Sequence, residues 1–132
     1  MIQYGKRKFK NRKTVVNGIT FDSRDEANRY LELRLLEQAG AITNLKLQVK
    51  YLLIPAHYES FTRYGKHGQR LKDGAKCIEK ECAYFADFVY TDTINGQQIV
   101  EDVKGCRTAD YIIKRKLMLH LYGIRIREVE MR

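Results

Sequence analysis

Length, composition and charge already limit what this protein can be. The chain has 132 residues, of which 44% are hydrophobic and 31% charged, the composition of one globular domain. No apolar run approaches the roughly 20 residues that cross a bilayer, and the basic N-terminus leads into no apolar signal segment. We therefore expect neither a membrane protein nor a secreted one. The 25 Lys and Arg against 16 Asp and Glu give a net charge of +9, which favours a polyanionic partner, with nucleic acid first.

The basic residues begin in an N-terminal arm, residues 1–14, which precedes a single domain over residues 15–132. The arm contains no acidic residue. Its candidate contacts to a phosphate backbone are Lys6, Arg7, Lys8, Lys10, Arg12 and Lys13. A solvated tail is the simpler interpretation, but the basic domain behind the arm makes nucleic acid the partner that we expect.

Turn and capping signals mark the first elements of the domain. Residues 15–21 predict a short hairpin with an Asn-Gly tip. A helix follows, because Ser23 and Glu26 are spaced as in a capping box and an apolar stripe continues behind them. Gly40 ends this helix.

The middle of the chain divides into a strand and a less regular basic segment. Leu45–Ile54 is apolar at most alternate positions and predicts a strand. Residues 56–76 are polar and show no steady period, so they form a long loop or an irregular basic hairpin. Candidate nucleic-acid contacts in this segment are Arg63, Lys66 and Arg70. Tyr58, Phe61 and Tyr64 are interleaved with these charges, which would allow stacking on unpaired bases.

The last third of the chain alternates strands with a helix. Ile78–Thr91 predicts a strand, and Asn95-Gly96 predicts a two-residue turn to a return strand over Gln98–Lys104. A second helix starts at Thr108 or Ala109 and ends at Tyr122, and residues 124–130 alternate as a final strand. The order predicts an α/β domain in which helices flank a mixed central β-sheet.

The predicted hairpin indicates which side chains share a side of the sheet. A two-residue turn places Val89 opposite Asp102 and Asp87 opposite Lys104, and opposed residues of an antiparallel pair point the same way. Asp102 and Lys104 are two apart on one strand and also share a side. We therefore expect Asp87, Asp102 and Lys104 on one face. A register slip of one residue would put Glu101 in the place of Asp102.

This clustering is unusual for strands of such apolar sequence. An exposed salt bridge would explain it simply and would contribute about 0–1 kcal/mol. The strands on either side, however, are rich in Phe, Val and Ile and look buried on both faces. Ionised groups in such strands are usually paired or hold a metal.

Asp87 followed by Asp102-Val103-Lys104 resembles the motif of the PD-(D/E)XK nuclease superfamily. The likeness covers about residues 19–130, with a helix bearing Glu26, then the hairpin with the motif, then a basic helix. Small phage and prophage endonucleases of this superfamily are similar, as are the transposon-end endonuclease and phage Holliday junction resolvases. The residue before the first Asp is often Pro in the superfamily and is Ala86 here. The resemblance implies a restriction-endonuclease-like core and a phage- or prophage-encoded protein of the bacterial cytoplasm.

The resemblance also implies a role for each motif residue. Asp87, Asp102 and Glu26 would bind Mg²⁺ or Mn²⁺, hard cations that prefer carboxylate oxygens. Lys104 would orient the attacking water and offset the charge that builds on the phosphate. We therefore expect a metal-dependent endodeoxyribonuclease for branched or junction DNA, working as a homodimer without an organic cofactor. The alternative is a non-catalytic nucleic-acid-binding module with a nuclease-like fold.

Several residues keep two interpretations. Glu26 could serve only the helix cap, and Glu101 is expected to pair with a nearby Lys or Arg. Gln48 is a further candidate for the site. Lys114 lies on the second helix, where solvation is the default and phosphate contact the alternative. The three cysteines lack the closely spaced ligands of a zinc site, so we expect reduced thiols.

Overall fold

The computed structural model describes residues 12–104 and 106–131, and within them it contains two helices and eight strands. In chain order these are β1 (Thr14–Val16), β2 (Ile19–Phe21), α1 (Arg24–Gln38), β3 (Ile42–Ile54), β4 (His57–Tyr64), β5 (Arg70–Glu79), β6 (Cys82–Asp92), β7 (Gln98–Val103), α2 (Ala109–Tyr122) and β8 (Arg127–Val129). The candidate contacts Lys6, Arg7, Lys8 and Lys10 lie outside the described residues.

A four-stranded sheet in the order β3-β6-β7-β8 forms the centre of the molecule. β7 and β8 run parallel and the other neighbours antiparallel, so the sheet is mixed. The helices cover its two faces, α1 on one and α2 on the other. The predicted class, an α/β domain with helices flanking a mixed central β-sheet, is confirmed. Neither helix of the described part is long and apolar enough to cross a membrane.

Each face of the sheet has its own hydrophobic core. The first core cluster, on the α1 side, consists of Phe21, Ala27, Tyr30, Leu33, Ile42, Phe88 and Tyr90. The second core cluster, on the α2 side, consists of Leu53, Tyr84, Ala86, Val89, Val100, Tyr111 and Met118. β6 contributes to both clusters, as a central strand with two covered faces must.

Local signals placed the first hairpin and helix correctly. Asn17 and Gly18 have φ of 52° and 78°, the left-handed values that a type I′ turn requires. The Ser23 side chain accepts a hydrogen bond from the Glu26 backbone N–H at 3.1 Å and caps α1. Gly40, with φ of 80°, follows the helix end as predicted.

The segment predicted as a long loop or irregular hairpin is a hairpin with two register shifts, and it continues to Glu79. β4 and β5 pair with each other in a two-stranded sheet separate from the central one. The prediction of one strand over residues 78–91 is therefore wrong at its start, because Ile78 belongs to β5 and β6 begins at Cys82. Both strands have β-forming composition, so only the polar residues between them separate the two. The ends of β3 and β8 also differ, since β3 begins before Leu45 and β8 is shorter than residues 124–130.

The predicted two-residue turn between β6 and β7 is also wrong. Thr91 pairs with Gln98, so the connection is longer, and Val89 faces Val100 instead of Asp102. The Asp92 side chain accepts the N–H of Ile94 at 2.8 Å, and that of Asn95 accepts the N–H of Gln97 at 2.9 Å. These side chains satisfy the backbone of the longer turn, which Asn-Gly spacing alone does not reveal. The register moves by two residues, which leaves Asp102 on the predicted side together with Val89.

Candidate active site

The alternation of side chains between the two faces is interrupted in both β3 and β6 at the same position, where Gln48 lies opposite Asp87. Ala86 belongs to the second core cluster and Phe88 to the first, although residues two apart in a regular strand share a face. The residues on either side of Gln48 change face in the same way. Gln48 has φ of 50°, a value rare for non-glycine residues. Asp87 therefore lies at a break in the alternation of its strand.

Asp87 lies where β6 separates from β7, since the pairing of the two strands stops at the next residue of β6. Its Oδ2 accepts a hydrogen bond from the Val103 backbone N–H at 2.8 Å, and its Oδ1 accepts one from Gln48 Nε2 at 3.2 Å. Burial and the charge of Asp102 raise the pKa of Asp87, and the two hydrogen bonds and Lys104 oppose the rise. The side chain thus bridges β3 and β7 from the strand between them.

Glu26 approaches Asp87 from α1. Asp22, Glu26, Gln48 and Asp87 line part of a cleft of about 270 Å³. Burial, followed by the charges of Asp87, Asp22 and Asp102, raises the pKa of Glu26 to about 8. The two N–H donors to Asp87 favour its charged form and oppose the rise of its pKa. The backbone N–H of Glu26 serves the helix cap, and its carboxyl faces the other acids.

Asp102 and Lys104 form a nearly buried ion pair. Lys104 Nζ lies 2.7 Å from Asp102 Oδ1, and only 11% and 9% of the two side chains are exposed. Tyr84 donates its hydroxyl to Asp102 Oδ2 at 2.6 Å. The Lys104 ammonium lies 3.4 Å from the centre of the Tyr111 ring, a cation–π contact. Both charges therefore have fixed partners.

A carboxylate on β8 anchors the ring beneath Lys104. Tyr111 donates its hydroxyl to Glu128 Oε2 at 2.7 Å, and Arg115 Nη1 and Arg107 Nε each donate to Glu128 at 2.9 Å. Burial works to raise the pKa of Glu128, but the three donors outweigh it and lower that pKa to about 2. Glu128 therefore stays charged and holds Tyr111 in place.

Glu101 points to the opposite face of β7 and belongs to the fold. It is fully buried, and Arg29 of α1 donates to both of its oxygens, at 2.9 and 2.6 Å. Tyr90 also donates its hydroxyl to Glu101. The expectation that Glu101 pairs with a basic side chain is confirmed. It does not take the place of Asp102, because the register puts it opposite Phe88 on the α1 side.

Glu26, Asp87, Asp102 and Lys104 lie near one another, but their side chains do not surround a common metal position. Within residues 12–104 and 106–131, no group of three or more His, Cys, Asp or Glu side chains is arranged to hold a metal ion. Glu26 and Asp87 make one pair, while Asp102 is engaged by Lys104 and Tyr84. The chemistry of the donors nevertheless fits a hard divalent cation, because the cleft offers carboxyl and amide oxygens whose mutual repulsion such an ion would relieve.

A family model of proteins of unknown function, DUF1064, matches residues 6–131. The chain belongs to the DUF1064 family. Comparison with curated proteins and with solved structures gives no match.

The basic candidates of the DUF1064 chain lie away from the cleft. Arg12 and Lys13 are exposed ahead of β1, and Lys114 is half-buried on α2. The candidates on the β4–β5 hairpin, all of them exposed, are Arg63, Lys66 and Arg70. None of these side chains lines the cleft around Asp87.

Four residues of the site escaped the sequence analysis. Asp22 lies just before the capping Ser23, where the sequence pattern indicates only the start of a helix. Tyr84 looked like one more aromatic residue of a strand. Tyr111 and Glu128 come from α2 and from a strand parallel to β7, and their meeting with Lys104 depends on pairing that no local pattern reveals.

Proposed function

We propose that this protein is a metal-dependent endodeoxyribonuclease of the PD-(D/E)XK type, with a restriction-endonuclease-like core. One observation carries the proposal. The Glu26–Asp87 carboxyl pair and the Asp102–Lys104 ion pair lie beside each other where β6 and β7 separate. Carboxyl groups with shifted pKa values beside a fixed ammonium group are typical of catalytic sites. Repulsion between neighbouring carboxylates does not stabilise a fold, so it usually serves a function.

Each group has a distinct role in the proposed reaction. Glu26, Asp87 and Asp102 would hold Mg²⁺ or Mn²⁺, which when bound polarises the phosphate and makes water a stronger nucleophile. Lys104 orients the attacking water and stabilises negative charge on the phosphate oxygens. Asp102 and Tyr111 hold the Lys104 ammonium from two sides, so that it meets the substrate already oriented.

The charge of the whole chain supports DNA as the substrate. A net charge of +9 favours binding to a phosphate backbone. We extend the proposal to branched or junction DNA, to phage or prophage DNA processing in the bacterial cytoplasm, and to a homodimer, since two strands require two cuts.

Cleavage of DNA tests the proposal directly. Supercoiled plasmid and a four-way junction are incubated with Mg²⁺ or with EDTA, and the products are separated on gels. We expect the parent to cut only with Mg²⁺, and Asp87→Asn, Asp102→Asn and Lys104→Ala to cut at least about 100-fold more slowly. Asp25→Asn, one residue before Glu26, serves as the matched control and should cut like the parent. Equal cutting by all variants would refute the site.

One observation favours a second function, a non-catalytic nucleic-acid-binding module. In the described residues Asp102 is satisfied by Lys104 and Tyr84, and no three ligands surround a common point. Titration calorimetry with Mn²⁺ separates the two functions. A binding isotherm that Asp87→Asn abolishes supports the nuclease. Salt-sensitive DNA binding with no Mn²⁺ heat and no cleavage supports the module.

A further inference from the structure

The β4–β5 hairpin stands apart from both core clusters. Its strands pair with each other in a sheet of their own, and no residue of the hairpin belongs to either cluster. Every residue of β4, and every residue of β5 except Gly74, is exposed. Because an isolated two-stranded hairpin gains little stability in water, a segment of this length is expected to have a binding partner.

The tip of the hairpin is strongly basic. From Arg63 to Lys72 the chain contains four Lys and Arg residues and neither Asp nor Glu. The first acidic residue beyond this stretch, Asp73, pairs with Arg70 at 3.1 Å. Such a run of positive charge on an exposed ribbon is complementary to a phosphate backbone.

Three aromatic side chains accompany these charges on the same ribbon. Tyr58, Phe61 and Tyr64 are 61%, 49% and 66% exposed. Tyr64 stands opposite Arg70 in the register, and opposed residues point to the same side of a sheet. Phe61 packs against Gly74, where its ring would meet an added Cβ at 2.4 Å. The three rings are thus exposed to solvent on a paired ribbon, and Phe61 is packed over Gly74.

We propose that the β4–β5 hairpin binds unpaired nucleotides, with bases stacked on the aromatic rings and phosphates contacted by the basic tip. Stacking platforms within a basic groove are the usual way to hold single-stranded nucleic acid, because every base has a π-face. Exposed aromatic residues alone would suit a protein partner equally well, and the basic tip decides for nucleic acid. Together with the proposed function, on which this consequence rests, the hairpin directs cleavage to DNA in which single-stranded and duplex segments meet.

Binding without cleavage tests the hairpin separately from the nuclease. The full chain is titrated in EDTA against a fluorescein-labelled dT 20-mer and a labelled 20-bp duplex, and anisotropy is measured. We expect Tyr58→Ala and Tyr64→Ala each to weaken binding of the single strand by about tenfold and to change duplex binding far less. Ile94→Ala, at a residue 92% exposed in another turn, should leave both affinities unchanged.

Substitutions in the basic tip should change binding differently from substitutions of the aromatic rings. Arg63→Gln and Lys72→Gln should weaken binding of both probes, and each should lower the salt dependence of binding by about one unit of slope. Tyr64→Phe retains the ring and should bind the single strand like the parent, which separates lost stacking from a misfolded hairpin.

One result would overturn the proposal, namely that the Tyr→Ala variants bind the dT 20-mer as tightly as the parent. If sedimentation then also shows a parent dimer that these variants convert to monomer, the rings contact a second copy of the chain. Failure of the nuclease looks different, since Mg²⁺-dependent cleavage would be absent while hairpin-dependent binding persisted.

Discussion

Lys104 is held by a carboxylate on one side and an aromatic ring on another, and its charge is nearly excluded from water. Buried ion pairs contribute little net stability over apolar residues, but removing one partner leaves the other charge uncompensated. The Asp102–Lys104 pair is therefore not by itself a source of stability, although removing either partner should be costly. Glu101 forms a second buried ion pair, in which Arg29 joins α1 to β7, and Tyr90 of β6 donates its hydroxyl to the same carboxylate.

A double-mutant cycle measures how strongly the contributions of Lys104 and Asp102 to stability depend on each other. In EDTA, we expect Lys104→Met to lower the free energy of unfolding by about 3–5 kcal/mol, because it leaves the Asp102 carboxylate buried without a cation. Combining Lys104→Met with Asp102→Asn should restore much of that loss. Urea denaturation of the two single variants and the double variant gives the coupling energy. Strictly additive losses would contradict the pairing.

Glu26 makes stability depend on pH. Its pKa rises from 4.5 to about 8 on folding, so the native state retains a proton that the unfolded chain releases between these values. The free energy of unfolding should therefore fall as pH rises from 4.5 to 8, and this contribution should be lost above pH 8.

Thermal unfolding in EDTA across that window checks the sign. Glu26→Gln should flatten the fall in Tm with pH, whereas Asp25→Asn should retain the slope of the parent. An unchanged slope in Glu26→Gln would show that Glu26 is not the group responsible. A divalent cation should stabilise most at the upper end of the window, where Glu26 is already ionised.

At the scale of elements, β3 carries a strained residue at its centre. Gln48 adopts φ of 50° in the middle of a 13-residue strand and donates its side-chain amide to Asp87. Left-handed backbone at a non-glycine residue costs about 1–2 kcal/mol and persists where surrounding structure imposes it. The strain coincides with the break that turns Asp87 toward β7, so Gln48 is a positioning residue in the proposed site.

Substitutions at this position should separate strain from function. Gln48→Gly should keep or raise stability, because glycine adopts positive φ readily, and Gln48→Val should be less stable than Gln48→Gly by about 1–2 kcal/mol. Both should slow cleavage through loss of the hydrogen bond to Asp87. Lys46→Gly, at an exposed position of the same strand, is the control and should lose about 0.5–1 kcal/mol. Urea denaturation gives the stabilities, and an equally destabilising Gln48→Gly would argue against strain.

At the scale of the whole molecule, the central domain and the β4–β5 hairpin are distinct in packing. Ile54 and Cys82 pair directly at the base of the hairpin, so β3 and β6 are joined independently of it. The cores on the two faces of the sheet include no hairpin residue. Folding of the domain and presentation of the hairpin are therefore expected to be separable.

Replacing residues 55–81 with Asn-Gly tests this separation. A two-residue turn suits the Ile54–Cys82 pair, and the shortened chain loses only exposed contacts such as the Lys50–Glu81 salt bridge. We expect the Tm to change by no more than about 3–6 °C, which corresponds to about 1 kcal/mol for a domain of this size. Single-strand binding should be lost. A collapse of the Tm would show that the hairpin contributes to folding after all.

Prediction from sequence succeeded at three local signals near the start of the domain. The Asn-Gly tip of the first hairpin, the Ser23 cap and the glycine after α1 were all placed correctly, because each reflects the backbone geometry of a few neighbouring residues. It failed at the turn between β6 and β7, where side-chain hydrogen bonds of Asp92 and Asn95 stabilise a longer loop. The side that Asp102 and Lys104 share with Val89 survived that error because the shift was even, whereas Asp87 turns at the break in β6 toward the cleft with Glu26.

The amino-acid sequence by itself determined the α/β class, the helix ends and the net charge of +9, because periodicity, capping and net charge are properties of neighbouring or summed residues. Only the tertiary structure decided how Asp87 leaves its strand toward Glu26, and which residues hold Lys104. Those outcomes depend on β3 beside β6 and β8 beside β7, pairings between segments far apart in the chain. Local patterns carry no information about such contacts, since the free energy that selects them comes from burying distant segments against one another.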